Sequence, residues 1–200
     1  MTQDYFHHKA ETYDNDPHKL SSIENIANAI HANITLTPSM HLMDFGSGTG
    51  LLLESIAPSV QKITAVDVSE SMTHQLAQKR DRIACDIDIL KIDLLTSDLT
   101  EKFDGIISSM TLHHIEDVPA LLAKLYTLLE KNGFIALADL EKEDGSFHSD
   151  DTGVHHQGFE REHMVEMATQ AGFREVSIVD ASIMRKAQGD YPVFLLTAKK

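Results

Sequence analysis

The stretch His41-Leu42-Met43-Asp44-Phe45-Gly46-Ser47-Gly48-Thr49-Gly50 places a carboxylate at the end of an apolar run and then alternates three glycines. Leu51-Leu52-Leu53-Glu54 follows as a helix start, so the pattern reads as strand, tight turn and helix N-terminus. Glycine serves where the backbone needs positive φ or where a ligand must approach without meeting a Cβ. A helix beginning there aims free N–H groups at whatever the turn holds. The dinucleotide fingerprint G-x-G-x-x-G does not fit, because the third glycine comes one residue early. A phosphate loop would need Lys and then Ser or Thr after its last glycine, where Leu51 and Leu52 stand. Asp44 would repel phosphate and attract a cation. The chemistry favoured is a nucleoside without phosphate and with a positive centre, and S-adenosylmethionine is such a molecule.

Asp67 lies about 20 residues beyond the first glycine, at the end of a second apolar run, where a fold of this kind sets an acid against ribose hydroxyls. A carboxylate can accept from two hydroxyls at once. Val68 follows it, and Met72 is placed to line an adenine as an adaptable apolar contact or to join the core. His113 and His114 follow the fourth strand, Phe103 to Met110, whose end carries Ser108 and Ser109. Histidine can act as a general base near neutral pH. Adjacent residues point apart, so one of the pair should face the pocket, and His114 is the expected one. His148, His155 and His156 sit in a long polar stretch and could equally take a proton from an acceptor. With Asp150 and Asp151 they also suggest a metal, but about four converging ligands are needed and no Cys helps, so none is assigned.

Asp44-Phe45-Gly46-Ser47-Gly48-Thr49-Gly50 resembles the first motif of the class I S-adenosylmethionine-dependent methyltransferases, and the similarity runs along nearly the whole chain, closest to the small-molecule enzymes. Phe6, Ala10, Tyr13 and Asp14 are similar to the family's F-x-x-x-A-x-x-Y-D opening, which implies that Tyr13 belongs to a lid over the cofactor. The resemblance also implies that Asp93 and the Leu94 N–H lie near the adenine amino group, and that the Thr111-to-Asp117 stretch is the fourth motif in its two-histidine form. The donor contacts expected are therefore Tyr13, Asp44, Gly46, Ser47, Gly48, Gly50, Asp67, Val68, Met72, Asp93, Leu94, Ser108, Ser109 and His114. The implied sheet has seven strands, the last antiparallel.

The elements that must position these residues follow from periodicity. Ser21-Ser22-Ile23-Glu24 reads as a capping box opening a helix with Ile23, Ile26, Ala27 and Ile30 on one face. Apolar runs at Ile63 to Val68 and Ile87 to Ile92 read as strands, with a helix over Ser71 to Lys79 between them. Val118 to Leu129 is an amphipathic helix with Pro119 near its start, and Gly133 should end it. Phe134 to Leu140 is an almost continuous apolar strand, as in a sheet covered on both faces, and Asp139 lies near its end. A helix over Glu160 to Ala171 and strands at Phe173 to Val179 and Tyr191 to Ala198 close the chain. The alternation predicts an α/β three-layer sandwich with a Rossmann-like, mostly parallel sheet. One domain over 1–200 is expected, with 1–33 as lid and first helix and 141–158 as a substrate loop.

Composition narrows the partners. The 42% hydrophobic content suits a globular core, and no run is apolar enough to span a membrane. The polar start, Met1 to His8, does not read as a signal peptide, and Cys85 is the only cysteine, so a reducing cytoplasm is expected. A net charge of −14 works against nucleic acid as acceptor and weakly favours a neutral or cationic small molecule. The reading is methyl transfer to a small acceptor. The alternatives are a non-catalytic binder of the same cofactor and a nicotinamide-dependent oxidoreductase, and the oligomeric state is left open.

Overall fold

The computed structural model describes residues 4–148 and 153–200; Asp150 and Asp151 of the metal reading lie outside them. Seven strands form one sheet in the order β3-β2-β1-β4-β5-β7-β6. They are β1 (His41–Phe45), β2 (Lys62–Asp67), β3 (Asp86–Lys91), β4 (Phe103–Ser109), β5 (Leu129–Leu140), β6 (Arg174–Lys186) and β7 (Gly189–Lys199). All pairings are parallel except those of β7, which runs antiparallel to β5 and β6. The last strand is therefore the reversed one, as expected.

Helices cover both faces: α1 (Pro17–Asn33), α2 (Leu51–Ile56), α3 (Glu70–Gln78), α4 (Val118–Leu128) and α5 (Arg161–Gln170). The period of 2 along the strands sorts their residues between two cores. Leu42, Ile107 and Ala136 meet Ile26, Ile30, Leu53 and Ile56 of α1 and α2. Met43, Ile106 and Ile135 meet Leu121 and Leu125 of α4 and Met164 of α5. Burial on both faces explains why β5 reads as an unbroken apolar run.

Three boundaries differ from the expectations in ways that matter for the site. Helix α1 begins at Pro17, not at the Ser21 capping box: Asp16 caps it, its carboxylate accepting from His18 N–H at 2.9 Å and Lys19 N–H at 3.4 Å. Proline at the first helical position lacks only an N–H that would be unpaired anyway, so Asp16-Pro17 starts the helix one turn early. Helix α4 ends at Leu128, and Gly133 lies inside β5; Asn132 takes the left-handed conformation at φ 65 instead. Strand β6 extends to Lys186, well past Val179, through a register shift between Asp180 and Ser182. A bulge breaks the inside–outside alternation on which strand reading depends.

The strand order reverses between β1 and β4, so the crevice at their C-terminal ends is where an open α/β sheet binds ligands. Ser108 locks this point, its buried hydroxyl donating to Phe45 O at 2.6 Å. The 141–158 stretch closes on itself at its base: Phe159 N–H donates to Leu140 O, Lys142 N–H to Phe159 O and Glu143 N–H to Gln157 O. Among the described residues, no helix is long and apolar enough to cross a membrane.

Candidate functional site

A cavity of about 240 Å³ opens at this crevice. Its floor is the glycine turn. Gly46 N–H and Ser47 N–H donate to Val66 O, and Gly48 N–H donates to the Asp67 carboxylate at 2.8 Å. The glycines answer different demands. A Cβ on Gly46 would stand 2.2 Å from the Thr111 side chain, so packing, not ligand approach, excludes a larger residue there. Gly48, at φ +53, has nothing within 4 Å of where its Cβ would be. That open space on the cavity side is the close approach a ligand needs.

Among the described residues, Asp44 Oδ2, Ser47 Oγ, Ser109 Oγ and Ser22 Oγ are buried without a hydrogen-bond partner, and all four residues line this cavity. Buried polar groups are normally paired with protein or water, so this concentration makes the cavity the candidate ligand site. Asp44 is 1% exposed. Burial first, and the neighbouring Asp67 charge second, push its carboxyl up to about 8. Such a group is largely neutral at pH 7 and ionises when a cation comes beside it. An acid, two hydroxyls and a bare glycine backbone suit the polar, positively charged end of the nucleoside cofactor inferred from sequence.

The opposite wall comes from the exit of β4. Thr111 Oγ1 donates to Ser109 O at 3.1 Å and Gly46 O at 3.3 Å, tying this exit to the glycine turn. Residues Leu112–His114 form a 3₁₀ turn. Neighbouring side chains there are about 120° apart, not 180° as in a strand. Both His113 and His114 therefore line the cavity, their rings 4.2 Å apart, where only one was expected to. His113 Nδ1 lies 2.7 Å from the Asp139 carboxylate on β5, and both residues are almost fully buried. An Nδ1–H donated to Asp139 leaves the lone pair on Nε2. Burial, and then the His113 charge, pull His114 down to about 4; the same two causes, in the same order, bring His148 to about 4. Those two rings are neutral and weakly basic at physiological pH.

The N-terminal segment forms the roof. Phe6, Lys9 and Tyr13 line the cavity, and Phe6 packs edge-on against His114 at 5.6 Å. Asp4 accepts from Ser69 Oγ, Ser71 Oγ and Ser71 N–H at the N-terminus of α3. Asp14 accepts from Thr49 Oγ1 at 2.6 Å and pairs with Lys79. Burial first, and then Asp67, Asp14 and Asp16, raise the Tyr13 phenol to about 12, so it remains a donor.

Of the residues singled out from sequence, Tyr13, Asp44, Gly46, Ser47, Gly48, Ser109, His114 and His148 share this cavity. Asp67 lies just behind the glycine turn, its oxygens accepting from Gly48 N–H and Ser69 N–H. Met72 and Leu94 are core residues at 2% exposure, whereas Val68 is 59% exposed. Asp93 is exposed and accepts from Leu95 N–H. Gly50 packs on Leu76, and Ser108 serves the β1–β4 lock. His155 and His156 border a neighbouring pocket of about 400 Å³ that shares His148, and their N–H groups donate to His113 O. Among the described residues, no group of three or more His, Cys, Asp or Glu could hold a metal ion. Sequence reasoning passed over the His113–Asp139 pair, Lys19, Ser22 and Lys186.

The fold is an α/β sandwich with its cavity at the β1–β4 crevice. The chain belongs to the methyltransferase domain family, whose profile matches residues 12–178. It is 30% identical over 201 residues to an uncharacterised methyltransferase of Schizosaccharomyces pombe, covering 92% of this chain and 68% of the relative. It spans about half the length of the uncharacterised mycobacterial methyltransferases that it also matches. A SAM-dependent methyltransferase from Aquifex aeolicus superposes with a TM-score of 0.74 at 19% identity, over 99% of each chain. The N-methyltransferase NodS from Bradyrhizobium japonicum, solved with S-adenosylhomocysteine, gives 0.70 at 18% identity over 94% of this chain and 89% of NodS.

Proposed function

We propose that this methyltransferase takes its methyl group from S-adenosylmethionine and delivers it to a small-molecule acceptor carrying an ionisable proton. The observation that carries the reading is the cavity in which Asp44, Ser47 and Ser109 present unpaired buried oxygens and the His113–Asp139 pair forms another wall. The donor supplies a methyl group on a sulfonium that is already a good leaving group. Asp44 provides the countercharge for the positive end of the donor, and the Ser47 and Ser109 hydroxyls supply hydrogen bonds beside it. The open side of Gly48 lets the backbone come close to the donor. The neck-closed 141–158 loop and the N-terminal segment act as lids that exclude water and hold the acceptor in line, about 3–3.5 Å from the methyl carbon. His113 Nε2 accepts the acceptor's proton as the bond forms, and Asp139 holds the tautomer that makes Nε2 basic. His114 and His148 line the same pocket, and burial lowers their basicity. The lone Cys85 supports a reducing, cytoplasmic setting.

The test is a pair of measurements. Calorimetry with S-adenosylmethionine, S-adenosylhomocysteine and NADH should show binding of the first two only; binding of NADH alone would overturn the donor assignment. Formation of S-adenosylhomocysteine is then followed with the ultrafiltrate and, separately, the dialysed retentate of a cell extract. Turnover with the retentate alone would refute a small acceptor.

A further inference from the structure

The arm that leads out of the 141–158 loop is fastened to the turn that carries the proposed base. His155 N–H and His156 N–H both donate to His113 O, at 2.9 and 3.1 Å. His156 Nε2 lies 2.9 Å from Ile115 O, and His114 Nδ1 lies 3.2 Å from Gly153 O. A carbonyl only accepts, so in each case the ring nitrogen carries the proton. The main chain and side chain of His156 thus grip two carbonyls, one on either side of His114. The His156 ring also packs at 5.1 Å on Phe159, a core residue whose N–H and O close the loop base against Leu140 and Lys142.

The turn has little to hold it from within. Leu112–His114 is a single 3₁₀ turn, closed by His114 N–H to Thr111 O at 3.0 Å and Ile115 N–H to Leu112 O at 2.9 Å. Hydrogen bonds of this kind have poorer geometry than those of an α-helix. From the β5 side, Asp139 accepts the His113 N–H at 3.3 Å and faces Nδ1 at 2.7 Å. Its Oδ1 also accepts from Leu140 N–H at 2.7 Å, which fixes the carboxylate to the sheet. The position of the His113 ring against that fixed carboxylate then depends on the peptide that follows His113, and the loop arm holds this peptide by its oxygen. A rotation there would swing Nδ1 off the carboxylate and move Nε2 with it. Displacing a catalytic group by about 1 Å can cost about 100-fold in rate.

We propose that His156 is a positioning residue: through Ile115 O and His113 O it holds the His113 ring in the place and tautomer that proton acceptance needs. The inference rests on the methyl-transfer reading above for what the base does, and it gives the loop a part beyond covering the acceptor. The proton of His156 stays on Nε2, bound to Ile115 O, so this ring acts through His113 and takes no proton from the acceptor itself.

The proton between His113 Nδ1 and Asp139 reports on this directly. In proton NMR it should resonate far downfield, and its absence in His113→Gln assigns it. His156→Phe keeps a ring on Phe159 and loses the donor; His156→Gln returns an N–H to the same reach. Exchange of the Nδ1 proton with water should be at least tenfold faster in His156→Phe and within threefold of wild type in His156→Gln. Formation of S-adenosylhomocysteine with the ultrafiltrate of a cell extract should follow the same order, falling at least tenfold in His156→Phe and recovering in His156→Gln. Amide spectra that overlay wild type outside 111–115 and 153–159 show that both variants fold. Wild-type exchange or turnover in His156→Phe, or equal loss in both variants, overturns the positioning role. Absence of the downfield proton in wild type removes the His113–Asp139 pair and this inference with it. If exchange follows the expected order but no fraction of the extract yields S-adenosylhomocysteine, the methyl-transfer reading fails and the positioning of the pair stands.

Discussion

Donor binding should be coupled to release of a proton from Asp44. Its carboxyl is raised to about 8, by burial first and Asp67 second. At pH 7 a group of that pKa is about ten parts protonated to one ionised. Asp44 must give up its proton to face the donor's positive groups, so binding should release close to one proton, about 0.9, at pH 7. The sign follows: the ligand prefers the ionised acid, so affinity rises with pH and flattens above about 8. Relative to that plateau, affinity should fall by about 11-fold at pH 7 and about 100-fold at pH 6, which is roughly 1.4 and 2.7 kcal/mol. The assay is calorimetric titration with S-adenosylmethionine in two buffers of contrasting ionisation enthalpy, such as HEPES and imidazole. The apparent enthalpies should differ by about 0.9 times the difference in buffer enthalpy. Asp44→Asn should abolish the difference and raise the Tm of the empty chain, since a buried acid that resists ionisation weakens the fold above its unfolded pKa. Equal heats in both buffers with affinity flat from pH 6 to 8, or coupling retained in Asp44→Asn, would refute the reasoning.

Other consequences are open to the same kind of check. His113→Gln should lower kcat by roughly 10²–10⁴-fold, with donor affinity within twofold of wild type in calorimetry. Asp139→Asn should follow it, because an amide no longer fixes the Nε2 lone pair; unaltered turnover in either would remove the base from the mechanism. Asp67→Ala frees Gly48 N–H and Ser69 N–H and should weaken donor binding by roughly 1–3 kcal/mol, measured as a Kd ratio. Gly158 has φ +66, and a Cβ there would lie 2.0 Å from Glu141 O, so Gly158→Ala should cost about 1–3 kcal/mol in urea unfolding. An unchanged midpoint would mean that the loop base can shift without penalty.

The glycine turn and Asp44 were legible in the sequence because their chemistry is local: strand, carboxylate and three glycines fall within ten residues. The alternation of strands and helices likewise gave the mostly parallel sheet, and the family resemblance implied its reversed last strand. The His113–Asp139 pair was not legible, because its partners lie 26 residues apart and meet only when β5 packs beside β4. A signal existed all the same, in the single acid of the apolar run Phe134 to Leu140, which is costly to bury unless it has a task. Lys19 and Lys186, which line the same cavity, were missed for another reason. They lie on the two elements whose limits were misread, α1 at its start and β6 at its end. Asp16-Pro17 could have revealed the first; the bulge that extends the second follows from pairing with β7.

The closed base of the 141–158 loop has a consequence for how such an enzyme could change over evolutionary time. Its ends are zipped by three main-chain hydrogen bonds and a β-bridge between Glu141 and Phe159 before the chain rejoins α5. The entropy of closing the enclosed segment grows only logarithmically with its length, by about 0.6 kcal/mol for each doubling. The length of the enclosed segment can thus change at little entropic cost, provided that Gly158 keeps the base shut and that Phe147 keeps its place in the core beside Tyr191. On the proposed reading, selection for a new acceptor would act on this loop while the donor floor after β1 and β2 is inherited unchanged.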